Sequence, residues 1–198
     1  MDAAKKRAGL RLPAKASIWY IASSALARSV SVVGTPIFTR LLTAREYGAF
    51  PQYMTFLSIF SVVVTLELSG GAILRGLQKF DNKKEEFISC ATGLIFLVWG
   101  AISLLLFTFF AIFGDFTGLG TGLFSIMLVH ILLNTVVSIY TAEARFSYKY
   151  RAVAFTNIAV ALLTPTISVL LITGLSLGGE GRIYAALLSS TVIAIPFL

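Results

Sequence analysis

Charged residues are scarce in this chain. Asp, Glu, Lys and Arg make up 13% of its 198 residues, whereas 57% of the residues are hydrophobic. Soluble domains carry about twice that fraction of charge. A soluble fold of this size would need a polar surface that these residues cannot supply. We therefore expect an all-α polytopic membrane protein whose surroundings are mostly lipid.

Cysteine and histidine occur once each, as Cys90 and His130. A single cysteine excludes an intramolecular disulfide framework and a cysteine-ligated metal cluster. A single histidine likewise leaves no histidine cluster for a metal or a proton relay within this chain. We expect no metal and no cofactor, and we interpret Cys90 as a small packing residue.

Acidic residues are also few, nine against sixteen basic ones, which gives a net charge of +7. Such an excess could indicate nucleic acid, because basic patches bind phosphate backbones. Here, however, the basic residues lie in short tracts between long apolar runs. The expected partner is therefore the lipid bilayer and not nucleic acid.

What the chain does contain is a series of apolar runs of about 20 residues, the length that crosses a bilayer. We predict a tail over residues 1–16 and a transmembrane bundle over 17–198, with spans at about 17–39, 51–72, 87–113, 123–141, 152–175 and 183–198. The sixth span is incomplete, because its helix would be about 24 Å long against about 30 Å of hydrocarbon. We interpret the chain as a fragment or as the N-terminal half of a longer protein.

The basic residues also predict how the spans are oriented. The tail and the second and fourth connectors together hold twelve of the sixteen Lys and Arg residues, and the opposite side holds Arg40, Arg45 and Arg182. Because Lys and Arg concentrate in cytoplasmic loops, we expect the N-terminus in the cytoplasm.

Arg28 is the clearest candidate functional residue, because a charge within a span costs free energy in lipid. It lies about 16 Å from either end of the first span, beyond the reach of a snorkelling side chain. Helical spacing puts it on one face, here called the polar stripe, with Ser17, Ser24, Ser31, Thr35 and Thr39. We expect this stripe to line a hydrated cavity. The alternatives are a buried ion pair of Arg28 and hydroxyls that merely allow close helix packing.

Glu67, in the second span, is a candidate coupling carboxylate and the natural partner to consider for Arg28. Its position near the end of the span leaves an equal alternative, an interfacial glutamate hydrated from the cytoplasm. Pro165, in the fifth span, predicts a bend that would suit gating, because proline removes a backbone hydrogen bond.

Two asparagines lie within later spans. Asn134 shares a helical face with His130, Ser138 and Thr141, and Asn157 shares one with Thr164 and Ser168. Both asparagines are candidate substrate contacts.

The segment from Gly34 to Phe50, GTPIFTRLLTAREYGAF, connects the first two spans. It resembles a signature of the Wzx-type oligosaccharide and polysaccharide flippases of the polysaccharide transporter family. The matching residues are Thr39, Arg40, Leu41, Leu42, Tyr47, Gly48 and Phe50. Ala44 departs from the pattern, since many members have proline there. A second segment, ELSGGAILRGLQKF, is similar to the family's second-helix exit at Arg75 and Phe80.

The resemblance implies membership of the multidrug/oligosaccharidyl-lipid/polysaccharide exporter superfamily, whose members have two lobes of six helices. This chain would be the N-terminal lobe, with a second lobe or a second copy as partner. Its function would be to move undecaprenyl-diphosphate-linked oligosaccharide across the bacterial inner membrane by alternating access. The oligosaccharide would serve the synthesis of surface polysaccharide such as O-antigen.

Within that function, arginine suits the diphosphate because its planar fork matches phosphate oxygens. The candidate substrate-binding residues are Arg28, Ser24, Ser31, Thr35, Asn134 and Asn157. Glu67 and Pro165 are candidates for coupling or gating. Arg40 and Arg75 would lie at the outer and inner mouths, where ordinary loop charge is the alternative interpretation.

Three other functions compete with this one. A cation-coupled multidrug exporter is expected to use deep acidic residues, whereas the deepest charge here is positive. A membrane enzyme needs an acid pair or a general base near the interface, and the acidic Asp81, Glu85 and Glu86 alternate with lysines as in a solvated helix start. A truncated fragment without transport activity is the third.

Overall fold

A computed structural model describes residues 2–66, 68–80, 83–113, 118–147 and 149–195, with side chains from residue 16 onward except at 69, 70, 111 and 113. These residues form seven α-helices: α1 (Asp2–Leu41), α2 (Ala44–Thr65), α3 (Ile73–Lys79), α4 (Lys84–Phe113), α5 (Gly120–Phe146), α6 (Tyr150–Leu175) and α7 (Glu180–Ala194). A π-helical turn, Leu68–Ala72, precedes α3. The expectation of an all-α protein is confirmed.

Five of the helices have the length and apolar composition of membrane spans. They are Ala16–Leu41 within α1, α2, Lys84–Phe110 within α4, α5 and α6. They correspond in order to the first five spans expected from the sequence. The sixth predicted span corresponds to α7, which has only 15 residues.

Helix α2 is displaced from its predicted span by seven residues at each end, because a capping box starts it early. The Thr43 backbone N–H donates to Glu46 Oε2 at 2.9 Å, and the Glu46 N–H donates back to Thr43 Oγ1 at 3.4 Å. These bonds satisfy backbone groups that a helix start leaves unpaired. At the other end Leu66 adopts a left-handed conformation with φ of 48°, which ends the helix.

The packing of the helices is centred on α6 and α7. Helix α6 packs against α1 on one side and α7 on the other, and α7 continues the contact to α5 and α2. A core of aliphatic and aromatic side chains joins α2, α4, α5 and α7, and in it the rings of Phe110 and Phe124 stack at 4.5 Å. Helix α1 also begins at Asp2, within the segment predicted as a tail.

Candidate functional site

Helix α1 presents three different strips along its length. The first is buried and faces α6; it contains Ala16, Ser23, Gly34 and Phe38. The second is apolar yet 64–71% exposed; it contains Ile18, Ile21, Val32 and Val33. The polar stripe is the third, and all six of its residues are exposed. At about 100° of rotation per residue, the polar stripe lies next to the exposed apolar strip, with Arg28 about 20° from Ile21 and about 40° from Val32.

Arg28 is exposed on this stripe and forms no salt bridge with any residue that the structure describes. The acid considered as its partner, Glu67, lies outside the described residues. The flanking Ser24 and Ser31 are exposed as well. Thr35 is also exposed, and its Oγ1 donates a hydrogen bond to the Ser31 carbonyl at 3.1 Å. The guanidinium is therefore presented on an open polar face.

A cavity of about 330 Å³ lies beside the polar stripe, enclosed by α1, α2, α6 and α7. Its volume falls at the lower end of the range typical of small-molecule sites. It brings together three residues expected from the sequence, Ser31, Thr35 and Pro165. Around Pro165, α6 remains helical, and Ser168 Oγ donates to the Thr164 carbonyl at 2.7 Å.

Arg182, in the first turn of α7, is the charge that lines this cavity. Its guanidinium carbon lies 4.2 Å from the ring centroids of both Phe38 and Phe50 and 5.2 Å from that of Tyr47. Rings at this distance attract a cation through their quadrupole. We call these three rings the aromatic cage. The Arg182 Nη1 is buried and has no hydrogen-bond partner among the described residues.

The charge on Arg182 persists in this environment. Burial lowers the pKa of Arg182 because it disfavours the charged form, while the neighbouring Tyr47 opposes that change. Arginine starts from so high a pKa that it stays protonated. Arg182 forms no salt bridge within the described part of the chain. The cavity thus contains a cation without an anionic partner.

The loop before α7 sets the position of Arg182. Gly178 has a φ of 54°, a conformation that glycine adopts without strain. Gly179 packs so closely on the backbone of Glu46 that a Cβ atom there would collide with it. The loop is therefore pressed against the first turn of α2, and this contact places Arg182 beside Tyr47 and Phe50.

Three of the hydroxyl groups that line the cavity have already donated their protons. Thr35 donates to the Ser31 carbonyl and Ser168 to the Thr164 carbonyl. Thr164 Oγ1 lies 2.7 Å from Ser189 Oγ, and because Ser189 itself donates to the Ala186 carbonyl at 2.9 Å, Thr164 is the donor of this pair. These oxygens remain as hydrogen-bond acceptors, while Arg182 supplies donors.

Asn134 does not line the cavity but ends a buried chain of hydrogen bonds across three helices. Tyr53 Oη lies 3.0 Å from His130 Nδ1, and His130 Nε2 lies 3.1 Å from Ser190 Oγ. Ser190 Oγ donates to Asn134 Oδ1 at 3.2 Å. Because the Ser190 proton points to Asn134, His130 Nε2 is the donor to Ser190, and Nδ1 accepts from Tyr53. The chain is therefore complete with a neutral imidazole.

The remaining predicted residues are spread over the bundle. Asn157 is half-buried on the α6 face that also carries Thr164, about 10 Å further along the helix. Arg40 and Arg75 are exposed at opposite ends of α2, in the last turn of α1 and on α3. The cavity thus brings together part of the predicted set, and Arg40, Arg75 and Asn134 lie apart from it.

Sequence reasoning assigned Arg182 to a connector and did not identify it as a site residue. Nothing in the local sequence marks it, because the aromatic cage comes from residues that precede it by more than 130 positions. Tyr47 and Phe50 do fall within the segment that carries the family resemblance. The family resemblance of that segment was the one signal in the sequence that could have directed attention to these two cage residues.

Comparison with protein-family models, curated proteins and solved structures finds no match for this chain. Within the described ranges, no group of three or more His, Cys, Asp or Glu side chains could hold a metal ion. The function must therefore be inferred from the polar stripe, the cavity and the two arginines.

Proposed function

We propose that this chain is one lobe of a flippase that moves polyprenyl-diphosphate-linked oligosaccharide across the bacterial cytoplasmic membrane for surface polysaccharide synthesis. The observation that carries this proposal is the position of Arg28. It lies near the middle of a candidate span and is exposed in one row with five exposed hydroxyl side chains. A charge at that depth in lipid costs about 2.5–3.5 kcal/mol, which favours a hydrated environment.

The chemistry of the cargo fits such a face. The polyprenyl tail stays in lipid while the diphosphate and the glycan cross through water-filled space. A guanidinium binds phosphate oxygens through charge-assisted, bidentate hydrogen bonds. Ser24 and Ser31, on either side of Arg28, have hydroxyls with no hydrogen bond to the described residues, so they are available to the head group.

A second lobe completes this arrangement. In the single lobe the polar stripe is open along its whole length. Alternating access works by moving one half of a transporter against the other around a shared site. A second lobe, or a second copy of this chain, would cover the stripe and convert it into one wall of a central cavity.

The proposal predicts the effect of substituting Arg28. In cells that depend on this protein for surface glycan, Arg28→Ala should abolish export, whereas Arg28→Lys should retain part of it because the charge remains but the planar fork is lost. Surface glycan and protein level are measured together by immunoblotting. Arg151→Ala is the matched control, since Arg151 is an exposed arginine at the start of α6. Normal export by Arg28→Ala at equal protein level would remove Arg28 from the mechanism.

A further inference from the structure

We infer that the cavity around Arg182 is a sugar-phosphate site, separate from Arg28, in which Arg182 binds the phosphate and the hydroxyl-lined wall binds the sugar. It deepens the proposed function by giving the head group a docking point near the α1–α2 connection. Binding of a sugar phosphate can nevertheless be measured without any transport.

The first argument is that the Arg182 guanidinium is only partly satisfied, because its hydrogen bond to Tyr47 leaves Nη1 unpaired. Phe38 and Phe50 hold it at 4.2 Å each, but phenyl rings offer no conventional hydrogen-bond acceptor. Nη1 is left buried and unpaired in the described structure. An unpaired buried donor is destabilising, by about 1–3 kcal/mol or more when charged. An anion that enters the cavity would remove this penalty, and phosphate matches the geometry of the guanidinium fork.

The second argument is the cavity itself. At about 330 Å³ it is large enough for roughly ten waters at about 30 Å³ each, more than a single phosphate group needs. Away from Arg182 its polar lining is hydroxyl oxygen from Ser31, Thr35, Thr164 and Ser168, and the protons of the last three are already donated within the protein. Sugar hydroxyl groups can donate to such acceptors. The donor and acceptor groups are thus arranged for an anion at one end and a polyol at the other.

The third argument is the placement of Glu46, the acidic residue that precedes the aromatic cage residue Tyr47. Glu46 lies one residue before Tyr47, yet it does not line the cavity. Its Oε2 accepts from the Thr43 backbone N–H at 2.9 Å and from Thr43 Oγ1 at 2.6 Å. The carboxylate is thereby held at the start of α2, so Arg182 remains the charge that faces an entering ligand.

The test is binding of glucose 1-phosphate to the full chain purified in detergent, with inorganic phosphate and glucose as comparison ligands. Affinity is measured by calorimetry and by the ligand-induced rise in melting temperature. We expect glucose 1-phosphate to bind more tightly than either comparison ligand. Arg182→Gln should weaken its binding at least tenfold, whereas Arg151→Gln, at an exposed arginine that does not line the cavity, should leave binding unchanged.

Ala161→Leu provides a second variant that fills the cavity and leaves Arg182, the aromatic cage and the polar stripe intact. Ala161 is half-buried on α6 and lines the cavity, so the larger side chain occupies empty space and should be tolerated in the fold. It should also weaken binding at least tenfold, and it decides the outcome if Arg182→Gln does not fold. The inference is overturned if the wild type binds no sugar phosphate, or if a folded Arg182 or Ala161 variant binds it normally. The export assay on the Arg28 variants would still stand as a separate test of the proposed function.

Discussion

His130, which is 2% exposed within α5, has a partner for both of its ring nitrogens. A buried histidine in an apolar bundle destabilises the fold little only while each of its ring nitrogens has a hydrogen-bond partner. Its partners come from α2 and α7, so the same bonds that satisfy the imidazole also fix the relative positions of three helices. We therefore assign His130 to the architecture of the bundle, whereas the proposed ligand chemistry rests on Arg28 and Arg182.

This assignment predicts that Tyr53→Phe lowers stability, because it leaves His130 Nδ1 buried without a donor. The expected loss in the free energy of unfolding is about 1 kcal/mol, in line with a single lost hydrogen bond. Tyr184→Phe is the matched control, since the Tyr184 hydroxyl has no hydrogen bond with the described residues. Reversible denaturation in detergent compares the two. Equal stability of both variants would show that the Tyr53 bond contributes nothing.

Among the elements, the short loop between α6 and α7 determines where Arg182 lies. Gly179 touches the backbone of Glu46, yet its own φ of −63° is open to any residue. A substitution at Gly179 therefore acts through steric contact alone and not through backbone strain. Few positions in the chain separate these two effects so cleanly.

Gly179→Ala should push the loop away from α2 and destabilise the protein by about 1–3 kcal/mol, the usual range for overpacking. It should also displace Arg182 and weaken sugar-phosphate binding. Gly174→Ala, in α6, is the control, because a Cβ atom there meets nothing within 4 Å. Thermal melting of both variants gives the comparison. A Gly179→Ala protein as stable as the control would contradict the close packing described here.

For the individual helices, the sequence predicts that they exist more accurately than it predicts where they begin and end. Runs of apolar residues identify the five long spans, because hydropathy depends on composition alone. The start of α2 was misplaced because Arg45 and Glu46 were interpreted as connector charge, whereas Thr43 and Glu46 form a capping box that local spacing could have revealed. Such caps are as informative in membrane helices as in soluble ones.

Arg182 illustrates what local sequence does not contain. The polar stripe of α1 could be predicted, since a single helix with a regular period generates it. The aromatic cage could not, because it requires Phe38, Phe50 and α7 to meet through the packing of four helices. Tertiary contacts of this kind leave no periodic signal in the chain.

For the whole molecule, the decisive question is which surface of the bundle meets water. Within α1, the polar stripe is suited to water and the exposed apolar strip is suited to lipid. If the chain is half of a transporter, the polar stripe faces the hydrated pathway and the apolar strip faces lipid.

Labelling of single cysteine variants can distinguish a water-facing strip from a lipid-facing one. In a Cys90→Ala background, which removes the exposed natural thiol, Ser24→Cys and Ser31→Cys should react readily with a charged methanethiosulfonate in membranes. Ile18→Cys and Val33→Cys should react at least tenfold more slowly, because only a hydrated thiol forms the reactive thiolate. Labelling rates are measured by mass spectrometry of the intact protein. Equal rates for the two strips would show that α1 does not separate water from lipid.

The attachment of α1 to α6 also has a consequence for biosynthesis. The two helices are neighbours in space, but more than one hundred residues of chain separate the end of α1 from the start of α6. At about 5–20 residues per second of translation, α1 waits roughly 5–20 s for its packing partner to emerge from the ribosome. Throughout that interval the Arg28 guanidinium must stay hydrated while the packed bundle is still absent. If α1 is a membrane span, the insertion machinery has to provide that hydrated environment first.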